Sequence, residues 1–212
     1  MAIHVQEEPI FYHKGSKIVT SDREIQILAK IEEPFVAVLG NVLSEEECEE
    51  LIQVSKDHLN RSKIGSQRDV NSIRTSSGAF LPEMADGAVA RVEKRVAEIM
   101  GIPLEHGEGL HILNYQPGQE YKAHYDYFTS AKANSNPRIS TLVMYLNDVE
   151  EGGETYFPHL KLSVAPQRGM AVYFEYFYKD QTLNEMTLHG GSPVVKGEKW
   201  AATQWVRRKQ YR

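Results

Sequence analysis

Leu110-His111-Ile112-Leu113-Asn114-Tyr115, closed by Gln116-Pro117-Gly118, opens a series of short strand-forming runs that fills the second half of this 212-residue chain. The runs that follow are Ala123–Tyr127, Ile139–Leu146, Glu154–Phe157, Ala171–Phe177, Thr187–His189 and Trp200–Arg207. Asn147-Asp148, Gly152-Gly153 and Gln167-Arg168-Gly169 supply turn chemistry between them. Short strands at this spacing, punctuated by Gly, Pro, Asn and Asp, are the pattern of a sandwich or jelly roll.

Upstream the pattern differs. Ile25–Ile31 and Phe35–Leu39, divided by Glu32-Glu33-Pro34, read as two strands and a turn, preceded by a polar arm over residues 1–24. Ser44 with Glu47 forms a capping box, so a helix starts there, with Cys48, Leu51, Ile52 and Leu59 as its core stripe. Glu45-Glu46-Glu47 complements the helix dipole and is structural. A second helix carries Val89, Val92, Val96 and Ile99 on one face and stops at Gly101 and Pro103. Residues 61–80 are polar and show no sustained period, which fits either a lid or a plain surface loop. The expected fold is mainly β with supporting helices, with residues 1–33 as an arm and first strand on a domain spanning 34–212.

Composition narrows the function classes. With 24 Lys and Arg against 29 Asp and Glu, net charge is -5 and no long basic cluster exists, which argues against nucleic acid. The N-terminus lacks the basic and apolar regions of a signal peptide, and no segment approaches a membrane span. Cys48 is the single cysteine, excluding an internal disulfide or thiolate metal cluster, and reads as a small buried apolar residue. These features place the chain in the cytoplasm.

The chemistry is concentrated in His124-Tyr125-Asp126. In an extended strand His124 and Asp126 share a face, and a second imidazole from His189 would complete the two-histidine, one-carboxylate set that holds non-haem Fe(II) with open positions. H-x-D alone is frequent by chance. Weight comes from Lys199, ten residues past His189 in a segment that otherwise reads as a buried strand. Such a lysine needs an anionic partner, and parity puts Ala201, Thr203, Trp205 and Arg207 on its face. A cosubstrate that chelates iron through a 2-oxo acid and sets a far carboxylate on Lys199 meets that need; 2-oxoglutarate has this shape. His4, His13, His58, His106, His111 and His159 have no partner at ligand spacing and read as structural or surface residues.

His124-Tyr125-Asp126-Tyr127-Phe128, Gly152-Gly153-Glu154-Thr155, His189 and Lys199 together resemble the prolyl 4-hydroxylases, Fe(II)- and 2-oxoglutarate-dependent dioxygenases. The resemblance covers roughly residues 34 to 208, in the bacterial single-domain form. It implies a double-stranded β-helix, the jelly roll read from the turns. It also implies His124, Asp126 and His189 as iron ligands, Lys199 on the distal 2-oxoglutarate carboxylate, and Tyr115 and Thr155 as further contacts to that cosubstrate. Trp205 would line the substrate side, with Arg138, Tyr121, Glu108, Arg74 and Ser76 contacting a peptide. Arg207 departs from the pattern, where a histidine is expected. The implied reaction is 4-hydroxylation of proline in a proline-rich or collagen-like peptide, releasing succinate and CO2, with ascorbate as reductant and a homodimer as one option. The rival readings are a non-catalytic module for proline-rich chains, a hydroxylase of free proline or another small molecule, and a metal-dependent hydrolase.

Overall fold

Alternating burial organises the computed structural model, which describes residues 13–62, 72–82, 87–127, 136–177 and 183–212. Its strands are β1 (Lys17–Val19), β2 (Glu24–Ile31), β3 (Val36–Gly40), β4 (Asn60–Arg61), β5 (Ser77–Phe80), β6 (His111–Tyr115), β7 (Tyr121–His124), β8 (Arg138–Tyr145), β9 (Glu151–Gly152), β10 (Thr155–Phe157), β11 (Leu162–Val164), β12 (Ala171–Glu175), β13 (His189–Gly191), β14 (Val194–Lys196) and β15 (Lys199–Arg207). Two helices, α1 (Glu45–Lys56) and α2 (Gly87–Met100), lie between β3 and β6 in the chain. Nine strands form a major sheet in the order β1-β2-β3-β12-β8-β15-β6-β5-β4, and four form a minor sheet in the order β11-β10-β13-β7.

The two faces of the major sheet have different partners. Leu142 and Met144 of β8, Ile112, Tyr173 and Ala202 pack with Cys48 and Leu51 of α1 and with Val89, Val92, Val96 and Ile99 of α2. Their sequence neighbours Tyr145, Val172 and Phe174 point the other way and meet Phe157 and Val164 of the minor sheet. Period-two alternation thus divides each central strand between a helix-covered face and the interior of a jelly roll. The site lies in that interior.

The capping box of α1 is complete: Ser44 Oγ accepts from the Glu47 amide at 3.2 Å, and Glu47 Oε2 accepts from the Ser44 amide at 2.9 Å. Glu47 also binds the buried Arg95 of α2, whose guanidinium reaches Asp22 at 2.6 Å, so both helices and the N-terminal arm are tied together. The arm is part of the major sheet, because β2 pairs with β3 and β3 with β12.

Three expectations need correction. The strand expected over Ala123–Tyr127 runs instead from Tyr121 to His124, because pairing with β13 fixes Gly191 opposite Tyr121 and His189 opposite His124. Asp126 therefore sits in the bend beyond the strand and reaches the site by a turn, not by strand parity. Thr187 ends a short 3-10 turn capped by the Asn184 side chain, and the strand begins at His189. The 61–80 segment is not all loop: β5 pairs with β6 and β4 with β5, placing Arg74 and Ser76 beside the sheet. Residues 63–71, the rest of the supposed lid, lie outside the described residues.

Candidate active site

His124 closes β7, His189 opens β13, and Asp126 turns in between them, so their ligand atoms all lie within 4.8 Å of one another. Asp126 Oδ1 is 3.4 Å from His124 Nε2, and Oδ2 is 3.5 Å from His189 Nε2. Each imidazole uses its other nitrogen locally. His124 Nδ1 lies 2.9 Å from the Lys122 carbonyl, and His189 Nδ1 lies 3.0 Å from that of Thr187. A protonated Nδ1 donating to a carbonyl leaves Nε2 with its lone pair facing inward, the tautomer a metal requires.

Electrostatics agrees with that assignment. Burial works against the Asp126 carboxylate, but His189, His124 and Arg138 together hold its pKa far below the usual range. Burial and the neighbouring His124 lower His189 to about 4, so it is neutral at pH 7. Thr141 Oγ1 donates to Asp126 Oδ2 at 2.7 Å, and the rings of Phe174 and Tyr121 flank the histidines, with Tyr121 stacked 3.5 Å from His124. The donor set fits Fe(II): two imidazoles and one carboxylate converge on one point, each with a hydrogen-bond partner of its own.

Behind the triad is a cavity of about 50 Å³ lined by Leu113, Tyr115, Val143, Thr155, Lys199 and Ala201 among others. Lys199 is buried and donates to the Gly153 carbonyl at 2.7 Å. Burial lowers its pKa to about 8. Among the described residues no carboxylate lies within ion-pair distance of it, and Glu154 acts on it only from longer range, so the contacting partner expected from the sequence is not supplied by the described protein. Its ammonium lies 5.5 Å from the ring centroids of both Tyr115 and Tyr145. Tyr145 donates its hydroxyl to Thr155 Oγ1 at 2.8 Å, which frees the Thr155 proton for an acceptor in the cavity. A dicarboxylate that bridges triad and lysine fits this donor set. Gly152 lets β9 and β14 come together beside this wall: at φ 81° it turns the chain where a Cβ would fall 2.3 Å from the Pro193 carbonyl oxygen.

In front of the triad a larger groove of about 1020 Å³ opens to solvent. Arg138 grips Glu108 with two hydrogen bonds, at 2.6 and 2.7 Å, and stacks 3.9 Å over the Trp205 ring. Arg207 donates to the same Glu108 at 2.8 Å. Arg74 lies 4.7 Å from the Tyr121 ring centroid, with Nε and Nη2 buried and unbonded among the described residues. Trp205 Nε1 and His111 Nδ1 are also buried with no hydrogen-bond partner among the described residues. Trp205, Arg138, Tyr121, Glu108 and Arg74 thus meet in one groove. Ser76 does not join them: it is fully buried, donates to Ser62 Oγ at 2.9 Å and lines neither cavity.

Reasoning from the sequence missed Thr141, Tyr145 and His111. All three were accessible to the parity argument used for Lys199. Thr141, Val143 and Tyr145 share one face of β8, as His111, Leu113 and Tyr115 share one face of β6. His111 is no isolated structural histidine, since it stacks on Phe80 at 4.1 Å and faces Trp205 in the groove.

Two facing sheets that hold two histidines and an aspartate between an inner cavity and an outer groove define the class of protein. Residues 110–207 match the 2OG-Fe(II) oxygenase superfamily. The chain is 40% identical over 217 residues to probable prolyl 4-hydroxylase 10 of Arabidopsis thaliana, covering 91% of this chain and 74% of that one. It is 41% identical over 206 residues to probable prolyl 4-hydroxylase 3 of the same plant, covering 85% and 71%. Among solved structures, the viral collagen prolyl hydroxylase of Paramecium bursaria Chlorella virus-1, in complex with 2-oxoglutarate, superposes with TM-score 0.67 at 30% identity, covering 81% of this chain and 95% of that one. The protein belongs to the prolyl 4-hydroxylase family, dioxygenases dependent on Fe(II) and 2-oxoglutarate.

Proposed function

We propose that this protein hydroxylates the 4-position of proline within a proline-rich or collagen-like peptide or protein. The observation that carries the reading is the sequence of compartments: a buried lysine with no carboxylate in contact among the described residues, then the triad, then an open groove of guanidinium and aromatic groups. In this reading His124, Asp126 and His189 hold Fe(II), and Lys199, Thr155 and Tyr115 hold 2-oxoglutarate. Bound together with O2, these supply the oxidising power to convert a C–H bond to C–OH, with release of succinate and CO2.

The residues of the chain position and protect. Leu113, Val143 and Ala201 keep the inner cavity apolar, so the charge-assisted contact from Lys199 acts in a low dielectric. Thr141 fixes the Asp126 carboxylate, and Tyr121 holds the His124 ring flat. In the groove Arg74, Arg138 and Tyr121 offer donors to peptide carbonyls, Trp205 offers a face to the proline ring, and Glu108 orients Arg138. A polyproline II chain suits this surface because its carbonyls are exposed and it loses little entropy on docking. Ser76 contributes through Ser62 and the sheet edge rather than by touching the peptide.

The reading extends to ascorbate as reductant, a cytoplasmic setting, a homodimer, and one catalytic domain over 34–212 with 1–33 as its arm. No helix among the described residues is long and apolar enough to cross a membrane. The test is mass spectrometry of a Gly-Pro-rich peptide incubated with Fe(II), 2-oxoglutarate, O2 and ascorbate. One added oxygen on proline, with matching succinate, is expected, and free proline should react poorly. Free proline consumed as efficiently as the peptide would replace the assignment with a small-molecule hydroxylase.

A further inference from the structure

The outer groove is strongly cationic on a protein that is acidic overall. Its described wall carries Arg61, Arg74, Arg138 and Arg207, against Glu108 as the one carboxylate besides Asp126. The formal net charge of the whole chain is -5, so this concentration of positive charge is local. Glu108 and Asp126 offset half of it, and the wall keeps a net positive charge. Glu108 is shared between Arg138 and Arg207. Arg74 is buried over Tyr121 with two unbonded nitrogens. Arg61 is exposed at the rim and, among the described residues, donates only a 3.3 Å bond to the Ser76 carbonyl.

Like charges gathered in a cleft repel one another, and low-dielectric walls focus the field they produce. Carbonyls of a neutral peptide satisfy hydrogen bonds but leave that field uncompensated. Side-chain carboxylates of a bound chain would compensate it at the rim, where Arg61 has donors left unbonded among the described residues. We infer that the protein selects proline-containing chains bearing Asp or Glu beside the target proline, with Arg61 receiving one of those carboxylates. This rests on the peptide-hydroxylase reading above and adds a substrate preference to it. Buried Arg74 and Glu108-bound Arg138 and Arg207 supply the attracting field, while Arg61 supplies the contact.

The experiment compares Gly-Pro-rich peptides identical except for Asp, Ser or Lys flanking the target, at ionic strengths of about 0.01 M and about 0.15 M, where the screening length falls from about 30 to about 8 Å. The expected order of kcat/KM is Asp, then Ser, then Lys, with Asp exceeding Ser by about tenfold at low salt and the gap shrinking at high salt. Arg61→Glu, checked for folding by circular dichroism, should shrink or reverse the Asp preference. Equal kcat/KM for all three peptides, with no difference in salt dependence, would overturn the inference while leaving the peptide hydroxylase intact. Should Asp be preferred equally by Arg61→Glu, Arg61 is not the receiver. If no peptide is hydroxylated by the wild type, the underlying reading fails and takes the preference with it.

Discussion

Lys199 Nζ lies 2.7 Å from the Gly153 carbonyl oxygen and meets no carboxylate among the described residues, although the residue is only 5% exposed. A buried ammonium with one neutral acceptor costs stability until an anion arrives.

That cost is measurable. Lys199→Met should raise the stability of the protein without cosubstrate by roughly 1–3 kcal/mol and abolish the thermal shift that 2-oxoglutarate gives the wild type. The wild-type pKa of about 8 lies below the ordinary lysine value of 10.5, so the unfolded chain binds more protons between those values. Stability of the cosubstrate-free protein should therefore rise with pH across that window. Affinity for 2-oxoglutarate runs the other way: flat below pH 8, then weakening about tenfold per unit as the ammonium is lost. Differential scanning fluorimetry and a pH series of the apparent Kd check both signs.

Thr141→Val removes the 2.7 Å hydrogen bond to Asp126 while keeping shape. Such supporting contacts commonly change metal affinity by about 10–100-fold, so competition with a chelator should strip Fe(II) from the variant at correspondingly lower concentrations. An unchanged metal affinity would show that the turn alone positions Asp126.

Tyr145→Phe deletes the hydroxyl that donates to Thr155. Thr155 can then turn its own proton elsewhere, so KM for 2-oxoglutarate should rise several-fold with Fe(II) affinity unchanged. Equal losses in both would mean that the ring, not the hydroxyl, carries the effect.

Ser44→Ala should destabilise the fold by about 1 kcal/mol, the usual worth of an N-cap, without changing the urea m-value or the site. The Glu47–Arg95 contact remains to hold the first turn of α1.

Much of this arrangement was legible in the sequence because it follows local rules. The capping box at Ser44, the turn residues and the parity of Lys199, Ala201, Thr203 and Trp205 each depend on neighbours a few residues away. What was not legible depends on pairing between distant segments. The end of β7 at His124 is set by β13, some sixty residues on, so Asp126 could not be seen to leave the strand. β5 resembled loop because Ser77-Gly78-Ala79-Phe80 has little strand propensity of its own and is held by β6. The sharing of Glu108 between Arg138 and Arg207 joins residues 30 and 99 positions apart, which no periodicity reveals.

The central claim, that His124, Asp126 and His189 hold iron facing a cosubstrate anchored on Lys199, is tested most directly by anaerobic titration of the Fe(II)-loaded protein with 2-oxoglutarate. A visible charge-transfer band should grow to saturation at equimolar cosubstrate, require far more 2-oxoglutarate in Lys199→Ala, and be absent in Asp126→Ala. A wild-type protein that shows no band, or an Asp126→Ala variant that keeps it undiminished, would contradict the account.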